Sequence, residues 1–374
     1  MKYIHVIESF SLEGGGVKSV VEDVSKQMAK DGDDVYVLAM SVPEGFTVQS
    51  MKEWSRTTGV HGEVISTSQS WWQSIRYVHR RIKELCREDD CCLYLHLKRG
   101  VLCGILATLE MKNIRRVEVY HSGYMNYKLQ AFLCRPFIDQ YLSVSKEGKE
   151  QLVRQFGAKE SKVKVAYNGV DVEKLRAMAT DLRPDRQNVR LLTVGRLAYQ
   201  KNIFLSVEAF ARLKEAGKAV GAEYLIAGDG PDRQELEEKA KGQVTFLGMI
   251  GRDQVYSHIT SADVVVFPSL WEGNSIALLE TLAIGCALVV TDIPSFREVL
   301  GNNPLTDTEL FRPEPFGAVF HKDRVESCMA ALEYVCTHQA ELPAMRNVVA
   351  RLADNFTVVK QAEVYRQAAT IKKS

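Results

Sequence analysis

Short apolar runs recur along the first half of the chain: YIHVIE (3–8), DVYVLAM (34–40), GEVIS (62–66), CCLYLHL (91–97), RVEVYHS (116–122) and DQYLSVS (139–145). Their apolarity is continuous rather than alternating, which predicts strands buried on both faces, as in a parallel sheet. Between them the spacing changes to that of amphipathic helices, as in VKSVVEDVSKQMAK (17–30) and KEGKEQLVRQFG (146–157), the second closed by a glycine. VKVAYNGVD (163–171) is a further strand ending in a turn, and the polar stretch 172–188, with Pro184, marks a boundary.

Beyond the boundary the alternation restarts. VRLLTVGRL (189–197), AEYLIAGDG (222–230), QVTFLG (243–248), ADVVVFPS (262–269) and ALVVTDIP (287–294) read as strands, and helical runs near 202–215, 232–241, 253–260 and 275–284 separate them. The fold class is therefore α/β, with two doubly wound open sheets carrying helices on both faces. The expected domains are 1–170 and 171–357, with a last helix near 358–374 returning to the first. Two such sheets facing one another would form a central cleft, and ligands of such sheets sit beyond the carboxyl ends of the strands.

Composition narrows the class. At 374 residues each half can bury its own core, and 46% apolar with 25% charged residues is the balance of a soluble globular protein. A net charge of +1 gives no global field for nucleic acid, so any basic surface is local. The N-terminal run is broken by His5 and Glu8, unlike a signal peptide, and no segment approaches ~18 continuous apolar residues. The eight cysteines, Cys86, Cys91, Cys92, Cys103, Cys134, Cys286, Cys328 and Cys336, form no C-x-x-C pair and have no clustered histidines. No zinc site is expected, the thiols read as reduced core residues, and the chain reads as cytoplasmic.

The chemistry-bearing residues fall on strand-to-helix loops. In LEGGGVKSV (12–20), Gly15 and Gly16 let backbone approach a ligand before a helix N-terminus, although a tight turn explains them equally. In VGRLAYQKN (194–202), Gly195 is followed by Arg196 and Lys201, two cations beside a helix start that suit a diphosphate. GDGPDRQEL (228–236) reads as a structural turn, with Pro231 suited to a first helical position. In FPSLWEGNSIALLE (267–280), Glu272 lies in the loop, Ser275 can cap the next helix, and Glu280 sits on it. The N–H groups of Asn274, Ser275 and Ile276 can face an anion, and a carboxylate such as Glu280 can accept from a ribose diol. His121 ends a strand directly before Ser122 and Gly123.

GGG after the first strand, His121, NGVD, GRL-x-x-Q-K-N, AGDGP, FLG and E-x7-E together resemble the retaining, GT-B-fold glycosyltransferases of family 4. The resemblance preserves motif order over nearly the whole chain. It implies that Arg196 and Lys201 grip the donor diphosphate, that Glu280 binds ribose, and that Glu272 lies near the transferred sugar. It further implies that Asn274, Ser275, Ile276 and Gly195 contact the donor, that Gly15 and Gly16 close over it, and that His121 stands beside the donor sugar. The implied donor is a nucleotide-diphosphate sugar, UDP-sugar favoured, and the implied acceptor is a glycan or lipid-linked saccharide of cell-surface polysaccharide or glycolipid synthesis. No metal and no cofactor are implied. Thr281, Ala287 and the Gly-Asn-Ser inside the motif depart from the common pattern.

WWQSIRYVHRRIKELC (71–86) places Trp72, Ile75, Val78, Ile82 and Leu85 on one helical face and Arg76, His79, Arg80, Arg81 and Lys83 around the remainder. Such a helix either covers the sheet or lies on an anionic membrane at the inner face of the cell membrane. Lys98-Arg99 and Arg115-Arg116 add to the basic excess of this half. The rival functions are a GT-B nucleotide-sugar 2-epimerase and a non-catalytic nucleotide-sugar-binding protein. A Rossmann dehydrogenase is disfavoured, because no G-x-G-x-x-G follows the first strand.

Overall fold

The computed structural model describes residues 1–10, 16–41, 47–64, 71–121, 128–179, 188–219 and 221–370. The chain divides into two compact units, Met1–Gly169 with Val358–Ser374, and Val170–Thr357.

In unit 1, β1 (Lys2–Ser9), α1 (Gly16–Lys30), β2 (Asp34–Ser41), α2 (Val48–Thr58) and β3 (His61–Val64) come first. They are followed by α3 (Trp71–Leu85), β4 (Cys91–His96), α4 (Leu97–Thr108) and β5 (Ile114–Tyr120). Then come α5 (Lys128–Cys134), β6 (Gln140–Ser143), α6 (Lys146–Arg154) and β7 (Val163–Val165). Among the described residues the strands form one parallel sheet of order β3-β2-β1-β4-β5-β6-β7. β4 is buried at every position, as its unbroken apolarity predicts. Local chemistry sets the helix limits: Thr47 and Ser50 form a capping box at the start of α2, Gly59 ends it in the left-handed conformation, and Ser145 caps α6.

In unit 2 the order is α7 (Val172–Met178), β8 (Arg190–Val194), α8 (Ile203–Glu215), β9 (Glu223–Ala227), α9 (Arg233–Ala240) and β10 (Thr245–Gly248). Next are α10 (Arg252–Ser261), β11 (Val264–Phe267), α11 (Ile276–Ile284), β12 (Ala287–Thr291) and α12 (Pro294–Leu300). β13 (Phe311–Glu314), β14 (Gly317–Phe320), α13 (Val325–Thr337) and α14 (Leu342–Leu352) complete it. Its sheet order is β10-β9-β8-β11-β12-β14-β13, parallel except for the β13–β14 hairpin, which the sequence reading did not anticipate. The last helix, α15 (Val358–Ala369), belongs to unit 1. There Ala362, Tyr365 and Ala368 enter the core, Tyr94 donates its hydroxyl to the Tyr365 carbonyl (2.7 Å), and Arg366 Nε reaches Asp33 (2.7 Å).

Two expectations are corrected. Cys86 and Cys91 are joined by a disulfide, Cα–Cα 5.8 Å, whereas all eight cysteines were expected to be reduced. The turn between α3 and β4 brings these two sulfurs together, a juxtaposition that cysteine spacing alone does not reveal. Trp72 does not share the apolar face of α3. Ile75, Val78, Ile82 and Leu85 are buried against the sheet, while Trp72 remains 66% exposed beside Arg76 and Arg80. The helix therefore covers the sheet with the apolar face that a membrane would otherwise take. Among the described residues no helix is long and apolar enough to cross a membrane.

Candidate functional site

Each sheet has a switch point where consecutive connections leave in opposite directions: β1/β4 in unit 1 and β8/β11 in unit 2. Beyond the carboxyl ends of such strands the loops diverge and leave room for a ligand. The sequence-selected residues of unit 2 lie at the β8/β11 point. Gly195 follows β8 with φ +154°, Arg196 is exposed, and Lys201 stands before α8. Ser269 and Glu272 follow β11.

The structure joins two of these directly. Lys201 Nζ donates to Glu272 Oε1 at 2.6 Å, and Ser269 Oγ donates to the same oxygen at 2.8 Å. The carboxylate side chain is 8% exposed and the lysine 19%, so the pair is only slightly wet. The loops are also tied through backbone, since Leu270 N–H donates to Gln200 O (2.8 Å) and Gln200 Nε2 to Trp271 O (2.9 Å). Arg196 has no ion-pair partner among the described residues. A lysine and a sheltered carboxylate thus meet, with exposed Arg196 on the same loop after β8, where an anionic ligand of this sheet would sit.

Glycine is required here for packing. Gly228 has φ +143°, and a Cβ on it would stand 1.9 Å from Gly195 O. The AGDGP turn is therefore a close fit against the Gly195–Leu197 loop, held by Gly195 N–H to Ala227 O and Leu197 N–H to Asp229 O. That supports the structural reading of 228–231.

Ser275 is the N-cap of α11, its hydroxyl accepting from Leu278 N–H, and Asn274 and Ile276 are buried at the same turn. Glu280, two turns along α11, is also buried. Its Oε1 accepts from Arg252 Nε (3.0 Å) and Tyr256 Oη (2.9 Å), both on α10. The sequence reading overlooked this pair; their i, i+4 spacing on one helix face was the available signal. The two glutamates are thus held by different partners, Lys201 for the first and Arg252 with Tyr256 for the second.

In unit 1, Gly16 opens α1, exposed and with open space around its Cα, while Gly15 lies outside the described residues. His121 follows β5, and its Nε2 is 3.0 Å from His96 Nδ1. Burial pushes its imidazole down to about 4, so the ring is neutral near pH 7. No cluster of three or more His, Cys, Asp or Glu that could hold a metal occurs among the described residues.

Comparison with known proteins reaches the same ground. Residues 14–174 match the family described as Glycosyltransferase Family 4, and residues 188–334 match Glycosyl transferases group 1. An N-acetylgalactosaminyltransferase of Campylobacter jejuni, named for a diphospho-undecaprenol substrate, is 30% identical over 299 residues, 75% of this chain and 77% of that protein. The chain belongs to glycosyltransferase family 4. An uncharacterised family relative from Methanocaldococcus jannaschii is 30% identical over 274 residues, and the alignment spans 65% of its length. The crystal structure of a glycosyltransferase from Rickettsia africae superposes with a TM-score of 0.74 over 99% of this chain and 100% of that one, at 16% identity. The family-4 glycosyltransferase therefore has the GT-B fold, built from two Rossmann-like sheets.

Proposed function

We propose that the protein transfers a sugar, with retention of configuration, from a nucleotide-diphosphate sugar to a glycan or lipid-linked acceptor in cell-surface polysaccharide or glycolipid synthesis. The observation that carries the reading is the Lys201–Glu272 pair, with Arg196 beside it in sequence, at the β8/β11 switch point of a family-4 chain. Arg196 and Lys201 neutralise the diphosphate as it leaves, a charge-stabilising role that needs no metal. Glu272 holds the sugar end. Glu280 takes the ribose as a carboxylate acceptor oriented by its bonds to Arg252 and Tyr256. Retention follows from attack on the face the diphosphate leaves, the departing phosphate helping to take the acceptor proton. On the family resemblance, the donor contacts also include Asn274, Ser275 and Ile276 at the start of α11, together with Gly15, Gly16 and His121.

The acceptor side is read as lipid-linked, as in the name of the Campylobacter relative. Its support is a surface of unit 1 where exposed Leu129, Phe132, Leu133 and Phe137 adjoin exposed Lys98 and Arg99, Gln130 Nε2 being bonded to Lys98 O (2.7 Å). Apolar side chains beside cations suit the inner, anionic face of a cell membrane.

A transfer assay with UDP-sugars first, then other nucleotide-sugars, and a polyprenyl-diphosphate saccharide tests the reading. Transfer that needs the acceptor, survives chelator and yields the donor's own anomer is expected. Donor interconversion without acceptor would establish the epimerase instead. Loss of anionic-vesicle binding in Phe132→Ser with Leu133→Ser tests the membrane contact, and no binding by the unaltered protein would reject it.

A further inference from the structure

Three histidines form a hydrogen-bonded line across unit 1. His5 on β1 aligns with Tyr94 on β4; His96, two residues further along β4, aligns with Val119 on β5; His121 lies two residues further again. Two residues keep a side chain on the same face of a strand, so the rings climb diagonally toward the carboxyl edge of the sheet. His5 Nδ1 is 3.0 Å from His96 Nε2, and His96 Nδ1 is 3.0 Å from His121 Nε2. His5 and His96 are 0% exposed, and the His5 ring lies 4.8 Å from that of Tyr94 and 6.0 Å from that of Tyr365.

A neutral imidazole has one N–H and one lone pair. His96 uses both ring nitrogens, so the direction of one of its bonds dictates the direction of the other. Burial keeps all three rings neutral, lowering His5 to about 3 and His121 to about 4 and His96 well below its ordinary value. The line therefore has two states, one with every proton on Nδ1 and one with every proton on Nε2.

The deep end chooses between them. His5 Nε2 is buried and has no partner among the described residues. An orphaned buried N–H is rare in folded proteins, so Nε2 of His5 is left bare and its proton sits on Nδ1. His5 then donates to His96, His96 donates through Nδ1 to His121, and the His121 proton sits on Nδ1, which has no partner among the described residues. Because the line stops at His5, it carries no proton onward.

We propose that His5 and His96 are positioning residues that lock His121 as its Nδ1–H tautomer, presenting a fixed hydrogen-bond donor to an oxygen of the bound sugar. The role of His121 rests on the transferase reading; the tautomer lock does not.

Long-range proton–nitrogen NMR of histidine-labelled protein at pH 7.5 reads the tautomers directly. His96 and His121 are expected to show Nδ1–H with bare Nε2, and the reverse pattern overturns the proposal. His5→Phe removes the donor while keeping a ring between Tyr94 and Tyr365. It should mix the His121 tautomers and lower kcat roughly tenfold, about the worth of one buried hydrogen bond, with donor KM nearly unchanged. His5→Asn retains an amide donor near the place of Nδ1 and should restore most of kcat. Unchanged tautomers and unchanged kcat in His5→Phe overturn the proposal. Should His5→Phe not fold, the wild-type spectrum and His5→Asn still decide. A protein that transfers no sugar but shows the expected spectrum refutes the transferase reading alone.

Discussion

The buried histidines predict an acid-sensitive unit 1, and the perturbation that isolates the effect is His5→Phe. The folded pKa of His5 lies below the unfolded one, driven down by burial to about 3, and that of His96 is lowered well below its ordinary value. The stabilisation from keeping them neutral is whole above pH ~6.5 and drains away as the pH falls toward the folded values. Between pH 7 and pH 5 each such histidine forfeits about 2 kcal/mol, because the unfolded chain takes up a proton that the fold refuses. His96, lowered in the same direction, adds to the loss, which is set against the ~5–15 kcal/mol that holds a typical domain together. Urea unfolding at the two pH values, followed by tryptophan fluorescence, measures it, since Trp54, Trp71 and Trp72 lie in unit 1 and only Trp271 in unit 2. The pH-dependent loss should shrink by about 2 kcal/mol in His5→Phe. Titrating groups outside the line of His5, His96 and His121 cancel in that difference. Equal losses in the two proteins would show that the fold does not hold His5 neutral.

Gly228→Ala forces a side chain onto φ +143° and against Gly195 O at 1.9 Å; a loss of about 3 kcal/mol in unit 2 is expected by thermal unfolding, and an unchanged Tm would contradict the close fit. Tyr256→Phe removes the 2.9 Å hydroxyl bond to Glu280, with an expected stability cost of about 2 kcal/mol and weaker nucleotide binding in calorimetry. Thiol titration of the unreduced, denatured protein should count six free cysteines, rising to eight after reduction, whereas eight at the outset would show that Cys86 and Cys91 are not bonded.

The α/β architecture was legible because strands buried on both faces, such as Cys91–His96, write an unbroken apolar run. The β13–β14 hairpin escaped for a physical reason. Its first strand carries Pro313 and is half-exposed, which reads against a strand but is tolerated on the sheet edge where β13 lies. Trp72 was misplaced because an apolar residue at a helix start can fall on the edge of the helix's buried arc, and only the neighbouring elements show where that arc ends. In the candidate site, Lys201 and Glu272 were selected separately, 71 residues apart, and their direct bond required the order β8-β11. His5 and His96 were read only as strand residues. They gain a role beside His121 once β1, β4 and β5 are known to be neighbours, an order that local periodicity does not encode.

The Lys201–Glu272 bond makes one further consequence testable, because it sets a protein carboxylate in competition with the donor diphosphate for the same cation. With the two side chains 19% and 8% exposed, the pair is neither a freely solvated ion pair nor a fully buried one. Its coupling should be worth about 1–2 kcal/mol, between the two extremes. A diphosphate that takes Lys201 must displace Glu272 from it and then remain beside an uncompensated carboxylate. Glu272→Gln removes both penalties and keeps a hydrogen-bonding group for Ser269 Oγ. Binding of nucleoside diphosphate should therefore tighten, by roughly tenfold at ~1.4 kcal/mol. Lys201→Ala should weaken it. The gain should be smaller for the nucleotide-sugar, because the sugar hydroxyls lose a charged acceptor as the phosphates lose a rival, and transfer should fall. Calorimetric titration of both variants with diphosphate and with nucleotide-sugar separates these terms. Weaker diphosphate binding by Glu272→Gln would mean that the carboxylate orients Lys201 toward the ligand rather than competing with it.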